Sequence, residues 1–231
     1  GRVRYGLMLR EDGFVLDDGT TARLGDNHFL MTTTTAAAGL VMRHLEFVAQ
    51  GLRPDLDVQL VSVTEQWAQF GVVGPKSRDL LNDLLDAPIS DETLPYMGHQ
   101  AAQVMGVRGR LFRISFSGEH AYELAVPADY GNMVARAIMQ AGDEFGITPY
   151  GVEALSIMRI EKGHVVVGAE ADGRTTADDH HIVAGVGLVG GCFAAVGNAL
   201  HQGFHVKAHF VGGFQNLGQG GDTRLRQGPH G

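Results

Sequence analysis

The chain has 231 residues with 26 Asp and Glu against 18 Lys and Arg, a formal net charge of −8. It is long enough to bury a sizeable core, and its acidic balance argues against a nucleic-acid surface, which needs clustered Lys and Arg to displace counterions. A single cysteine, Cys192, excludes an internal disulfide, and no charged segment followed by an apolar core opens the chain, so a cytoplasmic location is expected. The chain begins on Gly1 within an apolar strand pattern rather than on Met, so a longer parent protein is also expected.

In chain order, VRYGLML, FVL and HFLMTTT are separated by E-D-G, D-D-G-T and G-D-N, which predicts an antiparallel meander over the first 34 residues. Asp17 and Asp18 then fall at a hairpin tip, because Asp folds back on nearby backbone N–H groups and Gly19 supplies a positive φ. Thr35 is the expected N-cap of a helix that sets Leu40, Val41, His44, Leu45 and Val48 on one stripe and ends at Gly51. DVQLVSVTEQWAQFGVV alternates as a strand pair, and GPKSRDLLNDLLD begins a second helix with Pro75 in its first turn. QAAQVMGVRGRLFRISFSGEHAYELAVP predicts strands joined at Gly109 and continued beyond a kink at Ser117-Gly118. ADYGNMVARAIMQAGDEFG forms a helix with Tyr130, Met133, Val134, Ala137 and Ile138 inward, and GVEALSIMRIEKG another, closed by Lys162 and Gly163. Helices and strands in mixed order, without regular βαβ alternation, predict an α+β fold with mostly antiparallel sheets and packed helices.

The composition breaks near residue 180. Residues 1–179 hold 25 of the 26 acids and 15 of the 18 Lys and Arg, whereas residues 180–231 hold one acid, Asp222, with 13 of the 33 glycines and six of the 11 histidines. The uncharged run 182–200 with Gly187-x-x-x-Gly191 has the length of a membrane span, but its five glycines argue against one. His201, His205 and His209 would align on one face of a helix as metal ligands, but Gly203 interrupts it and no carboxylate accompanies them. Without amphipathic periodicity, the tail reads as an atypical Gly/His-rich segment, frameshifted or disordered.

Among chemical motifs, GVVGPKS lacks the spacing of a phosphate-binding loop, and no G-x-G-x-x-G, C-x-x-C or H-E-x-x-H occurs. FRISFSGEHAYELAVP is more informative, because Glu123 sits in an apolar strand, where a carboxylate is costly to bury without a partner. Two readings stand on spacing alone: a surface Glu on an edge strand, or an anionic anchor flanked by Phe116 and Tyr122 as a stacking platform for a flat heterocycle.

Taken in order, RYGLMLREDGFVLDDGTTARLGDNHFLMTTT, GPKSRDLL, RISFSGEHAYELAVP and PYGVEALSIMRIEKGHVVVG resemble the glycine-cleavage T-protein (aminomethyltransferase) superfamily over residues 1 to about 179. The nearest likeness is to its form in the C-terminal half of heterotetrameric sarcosine oxidase alpha subunits. The resemblance implies a partial folate-binding domain, whose earlier strands and C-terminal barrel-like part lie outside this chain. It implies that tetrahydrofolate takes the one-carbon unit of a sarcosine-derived iminium to give 5,10-methylenetetrahydrofolate. The other oxidase subunits would be partners, and FAD, FMN and NAD would be held elsewhere in the complex.

The resemblance carries over to individual residues. Asp18 matches the aspartate beside the reacting folate nitrogens, and Glu123 matches the glutamate that binds the pterin, whose adjacent N–H and NH₂ suit a carboxylate. Phe116, Tyr5 and Thr34 match residues lining that site. The family motif is Gly-Gly-x-x-Asp-Asp, and this chain has Asp12-Gly13 in place of its Gly-Gly. T-proteins carry an arginine where this chain has Leu155, a departure shared with the oxidase-linked relatives and unfavourable to lipoyl-linked activity. Arg159 and Glu161 match a shared R-x-E expected to tie the helix to its neighbours.

Overall fold

The computed structural model describes residues 1–179 and the backbone of 206–212. Its strands are β1 (Val3–Leu9), β2 (Val15–Gly25), β3 (His28–Thr33), β4 (Val58–Ser62), β5 (Trp67–Val73), β6 (His99–Val104), β7 (Val107–Phe112), β8 (Ala121–Pro127) and β9 (Val206–Gly212). The α-helices are α1 (Ala38–Phe47), α2 (Ser77–Leu84), α3 (Gly131–Gly142) and α4 (Val152–Lys162).

Two sheets organise these elements, one in the order β1-β2-β3-β9-β4 and the other β5-β8-β7-β6. All pairings are antiparallel except those of β9, which lies parallel to both β3 and β4. The mixed α+β class with mainly antiparallel sheets is therefore what the chain adopts.

The first meander forms, but its turn precedes the acidic pair. Gly13 has φ +86°, and Asp12 accepts hydrogen bonds from Arg10 and from the Phe14 N–H, so E-D-G makes the turn. Asp17 and Asp18 lie inside β2, opposite Met8 and Leu7, rather than at a hairpin tip. Gly19 is required there for another reason: a Cβ would collide with the Thr32 carbonyl of β3.

Other boundaries also differ from expectation. Helix α1 begins at Ala38 with no side-chain cap, and a π-helical turn, Val48–Leu52, carries it past Gly51. Strands β4 and β5 do not pair with each other; a 3₁₀ turn at Thr64–Gln66 sends them into different sheets. The β6–β7 hairpin turns at Met105 and Gly106, both at positive φ, which matches the twist of the flanking strands. Gly109 instead sits within β7, where a Cβ would press on the Ala125 carbonyl. In α3, Val134 and Ile138 face inward, but Met133 is exposed, as is Tyr130 just ahead of the helix. Helix α4 ends at Gly163 in the left-handed conformation, as its sequence predicts.

Strand β9 departs from the expectation of an unstructured tail. Val-Lys-Ala-His-Phe-Val alternates apolar and polar residues, a strand period too short to stand out in so glycine-rich a context. His209 is thus in a strand rather than on a helix, while His201, His205 and the 182–200 run lie outside the described residues. No helix among the described residues is long and apolar enough to cross a membrane.

One face of the second sheet packs Val72, Leu124, Val126 and Tyr122 against Leu80 and Leu81 of α2 and Val134 and Ile138 of α3. Val3, Ala22 and Leu30 of the first sheet pack with Phe112 and Ala125 of the second and with Ile114 just beyond β7. The first sheet also packs Met31 against Val41 of α1, and a separate group of Tyr5, Leu7, Leu9 and Val15 is covered by Val165, Val167 and Ala171 after α4.

Candidate functional site

Adjacent strand residues point to opposite faces of a sheet, and that pleat separates the two acids of β2. Asp17 accepts the Thr34 N–H at 3.0 Å and its hydroxyl at 2.9 Å, tying β2 to the turn that leads into α1. Burial pushes the Asp17 carboxyl above its usual value, and the Thr34 bonds offset part of that. Thr34 is therefore a partner of Asp17.

Asp18 is 9% exposed and takes a hydrogen bond from the Tyr5 hydroxyl at 2.9 Å. Burial is the main cause that pushes its carboxyl up to about 6; the Tyr5 bond opposes this and the neighbouring Asp17 charge adds to it. Tyr5 is itself pushed upward, first by burial and then by the Asp18 charge, so it stays a proton donor. Asp18 can hold or accept a proton near neutrality, with Tyr5 fixing one carboxylate oxygen.

On the second sheet, Glu123 faces Gly71 across the β5–β8 pair. It lines a narrow cavity with Phe116, Ile114, Val73, Tyr150 and Leu155. Burial pushes its carboxyl up to about 7, partly offset by a hydrogen bond donated by the Gln69 side-chain amide. Phe116 stacks on His164 with centroids 5.9 Å apart and planes 21° apart, and His164 Nδ1 lies 2.9 Å from the Phe116 carbonyl oxygen, to which it donates.

Tyr122 borders the same cavity, but not as a free stacking face. Its ring is fully buried in the helix-side core, and its hydroxyl accepts from Arg78 Nε at 3.0 Å. The pleat that brings Glu123 into the cavity turns the Tyr122 side chain away, so it cannot stack on a ligand held by Glu123. On that Tyr122 side lies a larger cavity of about 620 Å³, in which Arg78 and Arg113 both pair with Asp91.

The structure thus joins Tyr5 to Asp18, and Phe116 to Glu123, on different sheets; Asp18 is not a wall of the Glu123 cavity. The segment after α4 links the two: its His164 stacks on Phe116, and its Val165 and Val167 pack with Tyr5. Arg159, 6% exposed, anchors that segment through the His164 carbonyl at 3.1 Å and Glu170 at 2.5 Å, the tying role its motif suggests. Glu161 is exposed. Sequence reasoning did not single out Gln69 or Tyr150. A polar residue sharing a strand face with Trp67 and Gly71 is the signal that could have found Gln69.

Comparison with known proteins agrees with this fold. Residues 1–188 match the model of the GCVT N-terminal domain. The sarcosine oxidase subunit alpha of Rhizobium meliloti (strain 1021) is 59% identical over 167 residues, 71% of this chain and 17% of that subunit. That of Corynebacterium sp. (strain P-1) is 45% identical over 181 residues, 78% of this chain and 19% of the subunit. An aminomethyltransferase of Saccharopolyspora erythraea is 32% identical over 178 residues, covering 76% of this chain and 46% of the relative. The chain thus spans under a fifth of these alpha subunits and about half of the aminomethyltransferase. The glycine cleavage system aminomethyltransferase T from Bartonella henselae superposes with a TM-score of 0.61 at 21% identity, over 80% of this chain and 47% of that one. With the matched region covering both candidate carboxylates, the chain belongs to the GCVT N-terminal domain family.

Proposed function

We propose that this chain forms the folate-binding part of a sarcosine oxidase alpha subunit, where the one-carbon unit of oxidised sarcosine passes to tetrahydrofolate. The observation that carries this reading is the Glu123 carboxylate on the wall of an apolar cavity beside the Phe116 ring. A carboxylate beside an aromatic ring suits a flat heterocycle whose edge offers parallel N–H donors, the chemistry of a pterin, and the cavity of about 10 Å³ must widen to admit one. Tetrahydrofolate, when bound, supplies the nucleophilic nitrogens that accept the one-carbon unit. Glu123 accepts the ring-edge donors, and Phe116, braced by His164, limits the tilt of the ring. Asp18, with one oxygen fixed by Tyr5, holds the proton of a folate nitrogen and stabilises positive charge developing there. The flavin and nicotinamide chemistry that oxidises the amine would lie in the remainder of the complex.

Asp18→Asn in the complete oxidase tests this reading. Sarcosine consumption is expected to continue with formaldehyde as the product, while formation of 5,10-methylenetetrahydrofolate falls roughly 100-fold, the scale of a lost general acid–base group. Unchanged methylene transfer would remove Asp18 as a catalytic residue.

A glycine-cleavage aminomethyltransferase is the second reading, favoured by relatives of that name. Leu155 counts against it, because this apolar side chain lines the Glu123 cavity at the position where T-proteins carry arginine.

A further inference from the structure

Glu123 is a carboxylate in a narrow, mostly apolar cavity, and a freely rotating carboxylate would present its oxygens to a ligand in many orientations. In the β5–β8 register, Gly71 stands opposite Glu123 and Gln69 opposite Ala125, so Gln69 is the diagonal neighbour of Glu123. Gly71 brings no side chain into the gap between them. A long side chain spans that diagonal, and the Gln69 Nε2 donates to Glu123 Oε2.

We propose that Gln69 is a positioning residue for Glu123: its amide fixes the rotation of the carboxylate, so that the remaining lone pairs of both oxygens meet the paired donors of a heterocyclic ligand. A carboxylate oxygen has two lone-pair directions, so Oε2 can accept from Gln69 and still serve a ligand. An amide suits the task because it donates without titrating. A glutamate in its place would set a second negative charge beside the first, and an aliphatic side chain would leave the oxygen unpaired.

The groups facing Glu123 are few. Phe112 lies opposite it on β7, while Arg110 of that strand is engaged over the Trp67 ring at 4.2 Å. Tyr150, ahead of α4, is the titratable neighbour that senses its charge; Ser117 is polar, and Phe116, Ile114, Val73 and Leu155 are apolar. The Gln69 bond is therefore the one that favours the ionised form of Glu123, against the burial that disfavours it.

This inference rests on the folate reading of the site. The test is calorimetric titration of the complete oxidase with tetrahydrofolate, under anaerobic conditions, from pH 5.5 to 9. Wild type, Gln69→Met, Gln69→Glu and Glu123→Gln are compared. Binding requires the ionised carboxylate, so wild-type affinity is expected to rise through a midpoint near the value of about 7 at Glu123. In Gln69→Met, which keeps side-chain bulk but loses the donor, the midpoint moves about one unit higher. About fivefold of affinity at pH 7 is then lost to protonation and regained toward pH 9, while the part lost with the orientation of the carboxylate persists there. Gln69→Glu moves the midpoint the same way, and in Glu123→Gln the step near 7 disappears, leaving that of Asp18 near 6. An unmoved midpoint in the Gln69 variants overturns the proposal, as does full recovery of wild-type affinity at pH 9. Carboxyl ¹³C titration of Glu123 in the free protein separates the two readings. If wild type fails to bind tetrahydrofolate, the folate reading falls, while an upward shift of the Glu123 titration in Gln69→Met still supports the positioning role and its absence rejects it.

Discussion

The acidic pair of β2 divides into one residue that holds the fold and one that the fold strains. Asp17 satisfies the Thr34 N–H and hydroxyl, so Asp17→Ala leaves a donor unpaired and is expected to cost about 1–2 kcal/mol of unfolding free energy. Asp18 has the opposite sign. Its folded pKa of about 6 lies above the ordinary value of 3.8, so the folded state favours the protonated form. Stability is fully present below the lower value and is lost as pH rises through the higher one. Asp18→Asn still accepts from Tyr5 but carries no charge, and is expected to gain roughly 2–3 kcal/mol over wild type at pH 8 and nothing below pH 4. Urea unfolding at the two pH values checks both variants, and a destabilised Asp18→Asn at pH 8 would reject the account. Residue types alone marked the pair, and family resemblance singled out Asp18. That the neighbours act on opposite faces became visible only once β2 extended through them, because a turn and a strand are equally consistent with D-D-G-T.

At the scale of elements, the two glycines on either side of Phe14-Val15-Leu16 do different work. Gly13 adopts φ +86° in open space, so Gly13→Ala meets only a backbone penalty of about 1 kcal/mol. Gly19 lies where the β3 backbone comes against β2, with Thr20 N–H donating to the Thr32 hydroxyl at 3.0 Å just beyond it. Gly19→Ala must therefore push the strands apart, at an expected cost of about 3 kcal/mol or more, within the range for overpacking. Thermal unfolding of the two variants checks the contrast, and equal losses would contradict the close approach. Most elements were legible because period and turn chemistry are local: the first meander, α2 and α4 form near where the sequence predicts them. What failed depended on distant partners. Tyr130 and Met133 fit the helical stripe of α3 but lie beyond the sheet face that it covers. The alternation over β4 and β5 reported strands correctly and could not report that they join different sheets.

Across the whole molecule, the titratable groups fall into two sets with opposite consequences. Asp12, Asp55, Asp91, Glu92, Glu170 and Asp172 are held below their usual values by surface pairs and hydrogen bonds. Their contribution is present above the ordinary carboxylate range, is lost as pH falls through it, and is modest because solvent screens these pairs. Asp17, Asp18 and Glu123 are raised by burial, the last two to about 6 and about 7, and remove stability as pH climbs from about 4 to about 7. His99 and His120, lowered chiefly by burial, oppose them below the ordinary histidine value, through smaller shifts. The folded chain is therefore expected to be most stable near pH 5 and to weaken toward pH 8, against the common pattern in which neutral pH is optimal. In Asp18→Asn/Glu123→Gln that decline should flatten, leaving the acid limb unchanged. A ligand that donates N–H groups to both carboxylates stabilises the ionised forms, so it should raise the unfolding midpoint more at pH 8 than at pH 5. Denaturant midpoints across pH, with and without tetrahydrofolate, measure both effects. A decline of the same slope in the double variant would mean that the cost of the charged state lies elsewhere than in the two carboxylates assigned to the site.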